Sequence, residues 1–195
     1  MIAQLQGHLI HKSPTRAVVE VNGVGYELHI PLSTYEKLGG TGETSTLLTY
    51  LHVREDALQL YGFSTNEEKM LFQHLIAVSG IGPRLAQSIL SGCSVATFCS
   101  FIRNNEIASL TAIPGIGKKT AERLIIELRD RLKNFAIAPA QTAAAPPLPV
   151  IEEAVLALVS LGYARAAAEK ALQRAQQEEG ELPVEDLIKR ALRSL

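Results

Sequence analysis

Two stretches of this chain, SGIGPRLAQSIL at residues 79–90 and PGIGKKTAERLI at residues 114–125, align without a gap at a spacing of 35 residues. Gly80, Ile81, Gly82 and Ala86 match Gly115, Ile116, Gly117 and Ala121. The agreement extends upstream, with Leu75 opposite Leu110 and Val78 opposite Ile113, and Arg84 falls opposite Lys119. Two copies are too few for a solenoid, so the middle of the chain must hold a duplicated helix–turn–helix unit.

The chemistry of such a turn follows from its residues. Glycine tolerates positive φ and leaves no side chain to block close approach. The helix that follows begins with unpaired N–H groups and the positive end of its dipole, so an oxyanion can be held by backbone donors. A basic residue just inside the helix adds longer-range attraction. Two such turns can hold phosphates on both strands of a duplex without reading a base. The residues assigned to this grip are Gly80, Gly82, Arg84, Gly115, Gly117, Lys118, Lys119 and Thr120.

Nucleotide loops fail on spacing. A G-x-x-x-x-G-K-[ST] loop ending at Gly117 needs glycine where Ala112 stands, and Lys119 separates Lys118 from Thr120. The dinucleotide fingerprint needs glycine at Leu85 and Thr120. Glycines that merely end helices would explain neither the doubling nor the basic residue in each copy.

The charge distribution agrees. The whole chain carries a formal net charge of −1, yet residues 65–135 hold nine Lys/Arg against six Asp/Glu. Residues 1–64 hold four against six and residues 136–195 six against eight. The basic excess is confined to the block with the repeat, which marks a local anion-binding face.

Around that block the patterns differ. Residues 1–64 read as about five short strands, including Arg16–Val21, Tyr26–Ile30, Leu47–Val53 and Leu58–Phe63, with Asn22-Gly23 as a hairpin turn. This suits a small β-barrel of the OB type, and an SH3-like barrel fits equally well. From Thr65, whose Thr-Asn-Glu-Glu run can cap a helix, the period becomes helical, with Met70, Leu71, Leu75 and Ile76 as the apolar positions. Residues 136–149 contain Pro139, Pro146, Pro147 and Pro149 and no charge, and read as a flexible linker. Residues 150–195 give three short amphipathic helices, a small bundle. The expected class is therefore α+β multidomain: barrel, tandem helix-hairpin-helix unit, linker and three-helix bundle.

Other features exclude chemistry. Cys93 and Cys99 match neither a disulfide framework nor a four-ligand zinc site and are expected as small buried hydrophobes. His8, His11, His29, His52 and His74 show no ligand spacing, so no metal or cofactor is expected. No apolar run nears the roughly 20 residues that span a bilayer, and the start lacks a signal-peptide pattern. The expectation is a cytosolic protein.

With these residues in place, the chain resembles the RuvA family of Holliday-junction-binding proteins over nearly its full length. The resemblance is carried by MIAQLQG, VEVNGVGYELHIP, VREDALQLYGF, the two GIG turns, which are similar to helix-hairpin-helix motifs, and LGY near the end. Departures are small: Ala3 and Arg84 replace a common glycine and a frequent lysine, the first turn reads Val78-Ser79-Gly80, and the linker is rich in Ala and Pro. None removes a charge or a turn glycine.

The resemblance implies an OB-fold first domain and a homotetramer, single or two face to face, holding a four-way junction open and square. It implies that Glu55 and Asp56, otherwise a solvated hairpin tip, form an acidic pin at the tetramer centre, where carboxylates repel phosphates. It also implies that Leu158, Leu161 and Tyr163 contact the RuvB motor, against the alternative that they form the bundle's own core. RuvC resolvase is a further implied partner. Recombination, DNA repair and the SOS response to DNA damage are the implied setting. The protein would be a non-catalytic scaffold whose ATPase lies in the partner. The rival readings are a general duplex binder and a subunit of a structure-specific nuclease.

Overall fold

Pro31 removes a backbone donor and Asn22-Gly23 supplies two positive-φ residues (φ 51° and 83°), and these local facts shape the first strands. In the computed structural model, which describes residues 1–132, 150–179 and 183–194, strand β1 (Gln4–Ser13) pairs antiparallel with β2 (Arg16–Val21). β2 continues through the Asn22-Gly23 turn into β3 (Val24–His29). Strands β4 (Thr44–Val53) and β5 (Leu58–Phe63) complete a closed barrel in the order β1-β2-β3-β5-β4. The β3–β5 pair is parallel, with Leu28 opposite Leu60, and β4 closes on β1 with Leu47 opposite Leu5. This five-stranded closed order decides for the OB type over the SH3-like alternative. Leu9, Ala17, Val19, Leu28, Ile30 and Leu47 fill its interior with no exposed surface.

Helix α1 (Leu32–Lys37), which no sequence pattern announces, follows Pro31 between β3 and β4. With six residues it is too short to show a helical period, and its inward residue is the polar Thr34.

Thr65 caps helix α2 (Asn66–Ile76) by accepting from the Glu68 N–H at 3.2 Å. The apolar face of α2 is Leu71, Phe72 and Leu75; Met70, expected on that face, is 39% exposed. Helices α3 (Pro83–Gly92), α4 (Val95–Arg103), α5 (Ile107–Thr111) and α6 (Lys118–Leu128) follow. The helical core takes in Tyr61 and Phe63 of the barrel, beside the separate cluster in the barrel interior. Phe72 lies 5.0 Å from the rings of both Tyr61 and Phe63 and 5.5 Å from Tyr50, so aromatic side chains of β4 and β5 seat α2 on the barrel. Met1–Ile137 accordingly form one compact unit. Cys93 and Cys99 are free thiols, and burial pushes both above the usual thiol pKa.

The second compact unit spans Ala138–Leu195. Its described residues form α7 (Val150–Ser160), α8 (Arg165–Glu179) and α9 (Val184–Ser194). Alanines let the helices approach: Ala154, Ala168, Ala171, Ala175 and Ala191 pack with Val155, Leu158, Leu172 and Leu187. The linker expected at residues 136–149 lies outside the described residues. No single helix among the described residues is long and apolar enough to cross a membrane.

Candidate nucleic-acid interface

The 35-residue repeat is reproduced bond for bond in the backbone. In the first copy Val78 N–H donates to Leu75 O at 3.0 Å, Ile81 N–H to Val78 O at 3.1 Å, and Ala86 N–H to Gly82 O at 3.0 Å. In the second, Ile113 donates to Leu110 at 3.2 Å, Ile116 to Ile113 at 3.1 Å, and Ala121 to Gly117 at 2.9 Å. Ile81 and Ile116, 4% and 5% exposed, anchor the two turns in the core. Helices α2 and α3 flank the first turn, and α5 and α6 the second.

The four glycines divide into two kinds. Gly80 and Gly115 have φ of +86° and +90°, a region that L side chains enter only at a cost. Gly82 and Gly117 have φ of −89° and −87° and cap α3 and α6, so positive φ is not what glycine provides there. A Cβ built at either position meets nothing within 4 Å. Within the chain these two glycines fill no packing need, and the space they leave faces outward.

Neither helix start has a side-chain cap. The first intrahelical donors are Ala86 and Ala121, so the N–H groups of Arg84 and Leu85, and of Lys118, Lys119 and Thr120, precede them. The N–H groups of Gly80, Gly82, Gly115 and Gly117 likewise find no backbone acceptor among the described residues. Pro83 stands where Lys118 stands in the second copy, so the second turn offers one more N–H and one more cation than the first. Each turn is thus a cluster of backbone donors beside an exposed basic side chain, suited to a tetrahedral oxyanion.

The turns also touch each other's helices. The Arg123 guanidinium of α6 donates from Nη1 to Ser79 O at 3.0 Å, while the Ser88 hydroxyl of α3 donates to Pro114 O at 3.4 Å. A Cβ at Gly115 would come within 2.9 Å of Leu85 Cδ1. Arg123 carries no signal in the repeat, because its counterpart in the other copy is Ser88. The charge of Arg84 is also felt at the barrel. Burial, then Arg16, hold the His29 imidazole below its usual pKa, with Arg84 acting in the same sense and Glu27 opposing.

Glu55 and Asp56 occupy a separate place, the two-residue tip of the β4–β5 hairpin. Arg54 and Ala57 close it with reciprocal backbone bonds of 2.9 and 3.4 Å. Arg54 Nε lies 3.7 Å from Asp56 in a solvated ion pair, which contributes little to stability. Val53 and Leu58 pair across the base of the tip and are 63% and 73% exposed.

In the second unit Leu158, Leu161 and Tyr163 are separated by a helix stop. Gly162, at φ +99°, ends α7 in a Schellman motif: its N–H donates to Val159 O at 3.0 Å and that of Tyr163 to Leu158 O at 3.2 Å. Leu158 is fully buried in the bundle core, whereas Leu161 is 61% and Tyr163 38% exposed. Among the described residues no group of three or more His, Cys, Asp or Glu is placed to hold a metal ion.

A closed five-stranded barrel joined to a tandem helix-hairpin-helix defines the class as a DNA-binding protein. Three family models cover the chain: the RuvA N-terminal domain over residues 1–62, the SAM-like helix-hairpin-helix tandem over 72–130, and the RuvA C-terminal domain over 149–195. The chain belongs to the RuvA family. It is 45% identical over 198 residues to a Geobacter metallireducens protein, covering 100% of this chain and 99% of the relative. It is 47% identical over 193 residues to one from Solibacter usitatus, covering 98% of both. It is 43% identical over 203 residues to one from Pseudomonas putida, covering 100% of this chain and 98% of the relative. All three relatives are named Holliday junction branch migration complex subunit RuvA.

Proposed function

We propose that this protein is the junction-binding, non-catalytic subunit of a branch-migration complex. It grips four-way junction DNA by backbone phosphates, assembles as a homotetramer around the crossover, and brings a RuvB-type ATPase to the arms, in the cytoplasm. The observation that supports this best is the pair of turns: Gly82 and Gly117 leave space that the chain itself does not fill, each beside free backbone donors and a cation.

The basic excess of one chain is small and confined to residues 65–135, within a chain of net charge −1, so strong binding rests on repetition: four copies present eight turns, and effective concentration multiplies modest single contacts. Residues 1–64 and 65–135 act as barrel and grip, and residues 150–195 as a tethered adaptor for the motor. In the assembled tetramer the Glu55-Asp56 tips converge on the crossover and exclude uninterrupted duplex from the centre, since clustered carboxylates repel its phosphates. RuvC resolvase would act on the same junction. The reaction's energy comes from ATP hydrolysis in the partner.

The test compares binding of the purified protein to a synthetic four-way junction and to linear duplex of equal length, at one stated salt concentration. Junction preference is expected; equal affinities would overturn the reading. Magnesium-dependent cleavage of the junction by protein free of partners would instead indicate a nuclease.

A further inference from the structure

The contacts between the two turns carry more than packing. Arg123 and Ser88 stand 35 residues apart, the spacing of the repeat, and so do their acceptors Pro114 and Ser79. Residue 123 of the second copy donates to the carbonyl before Gly80, and residue 88 of the first copy donates to the carbonyl before Gly115. The two bonds are one interaction repeated about a pseudo-two-fold, made with unlike side chains.

The acceptor carbonyls are not incidental. Ser79 O and the Gly80 N–H belong to a single peptide plane, and in a trans peptide they point in opposite directions. Glycine at positive φ has no Cβ to resist rotation of that plane. A donor holding Ser79 O on one side therefore fixes the Gly80 N–H on the other, where no backbone acceptor of the described residues takes it. It also satisfies a carbonyl whose negative end would otherwise be free to turn toward an approaching phosphate.

We infer that Arg123 is a positioning residue for the first phosphate-gripping turn although it lies in the second motif. With Ser88 it forms a reciprocal brace that pre-orients both turns before DNA arrives. Ordering that is already present in the free protein is not lost again on binding. The two halves differ in strength: the Arg123 bond is charge-assisted and 3.0 Å long, the Ser88 bond neutral and 3.4 Å. The first turn has the rigid brace and fewer donors, the second the looser brace and the extra lysine. The inference rests on the phosphate-gripping function proposed above.

The experiment has one arm without DNA and one with it. In the free protein, amide NMR of R123A is expected to show a shifted Gly80 N–H with a lowered order parameter and Gly115 unchanged, S88A the converse, and R123K an intermediate Gly80 signal. An unchanged Gly80 amide in R123A overturns the brace. With a four-way junction, R123A is expected to weaken binding about tenfold, the worth of one hydrogen bond to a charged group, without altering the salt dependence. A salt slope lowered by about 0.9 would make Arg123 a phosphate contact itself and refute the positioning role. Undiminished affinity in R123A, alongside weakened K119A, would also overturn it. If neither R84A nor K119A weakens binding, the grip itself is at fault, and the free-protein arm still judges the brace.

Discussion

The Thr34 hydroxyl donates at 2.9 Å to the carboxylate of Glu68, a residue 4% exposed. The same carboxylate accepts from the Ser64 hydroxyl at 3.0 Å and the Ser64 N–H at 3.2 Å, and Lys37 lies 3.4 Å from its other oxygen. Thr34 and Lys37 belong to α1, Ser64 to the end of the barrel, and Glu68 to α2. One buried charge therefore ties barrel, α1 and helical domain together. The Thr-Asn-Glu-Glu run opens α2 as expected, but the Glu68 side chain turns inward to this network.

Burial of Glu68 works to raise its pKa, but the hydrogen bond from Thr34, the charge of Lys37 and the Ser64 hydroxyl outweigh it, and the net direction is downward. The unfolded chain thus takes up the proton first as pH falls. The stabilisation is complete above the ordinary value of 4.5 and is lost as pH drops through it toward the folded value. Glu68→Gln is expected to cost about 2–3 kcal/mol at pH 7, because Thr34, Ser64 and Lys37 lose a charged acceptor. It should also flatten the decline of stability below pH 5. Urea unfolding of both proteins across the acid range checks this, and parallel curves would refute it.

Substitution of the capping glycines should separate folding from binding. Gly117→Ala meets no atom within 4 Å and needs no positive φ, so its stability cost is expected below about 1 kcal/mol. Its added methyl group occupies the outward space where a phosphate would sit, and affinity for a four-way junction should fall at least tenfold. Gly115→Ala faces both φ +90° and Leu85 at 2.9 Å and should destabilise the fold as well. Thermal melts beside binding isotherms distinguish the two, and full affinity in Gly117→Ala would argue against the turn as the contact.

Lys119→Ala removes charge without touching the turn. Binding to junction and duplex should weaken together, and the slope of log affinity against log salt should fall by about 0.9. A preserved slope would mean that Lys119 does not neutralise a phosphate.

Glu55→Gln with Asp56→Asn keeps the hairpin, whose tip is closed by backbone bonds between Arg54 and Ala57. Stability should change by less than about 0.5 kcal/mol, as for other exposed sites, while preference for junction over linear duplex shrinks. Competition binding between the two DNAs reads this, and unaltered selectivity would rule out the pin.

In the second unit the three apolar residues should behave differently. Leu158→Ala empties a fully buried site and is expected to cost about 2–5 kcal/mol, unfolding the small bundle. Leu161→Ser and Tyr163→Ser should leave its circular dichroism intact yet reduce stimulation of a RuvB-type ATPase, and deletion from Val150 should abolish that stimulation while sparing junction binding. Stimulation that survives Leu161→Ser and Tyr163→Ser would place the docking face elsewhere.

Much of this architecture is legible from local pattern. The duplicated GIG turns, the Asn22-Gly23 hairpin, the Thr65 cap and the change of apolar period at that cap all depend on residues within a few positions of one another, where backbone stereochemistry and hydrogen bonding decide the outcome. The repeat and its basic residues are legible for the same reason: they lie in short, contiguous segments.

What required the tertiary structure is whatever depends on residues distant in the chain. Barrel closure is set by which strands pair, through β4 returning to β1 and β5 lying parallel to β3, and an alternating pattern does not specify its partner strand. Whether Leu158 faces inward and Leu161 outward depends on where α8 and α9 lie. Arg123 bonds Ser79 only because the fold carries its guanidinium 44 positions back along the chain. Glu68 likewise meets Thr34 across 34 positions. Sequence alone determined the turns, the caps and the chemistry they offer; long-range packing decided how the two turns are held, because a hydrogen bond between distant segments exists only after the core has brought them together.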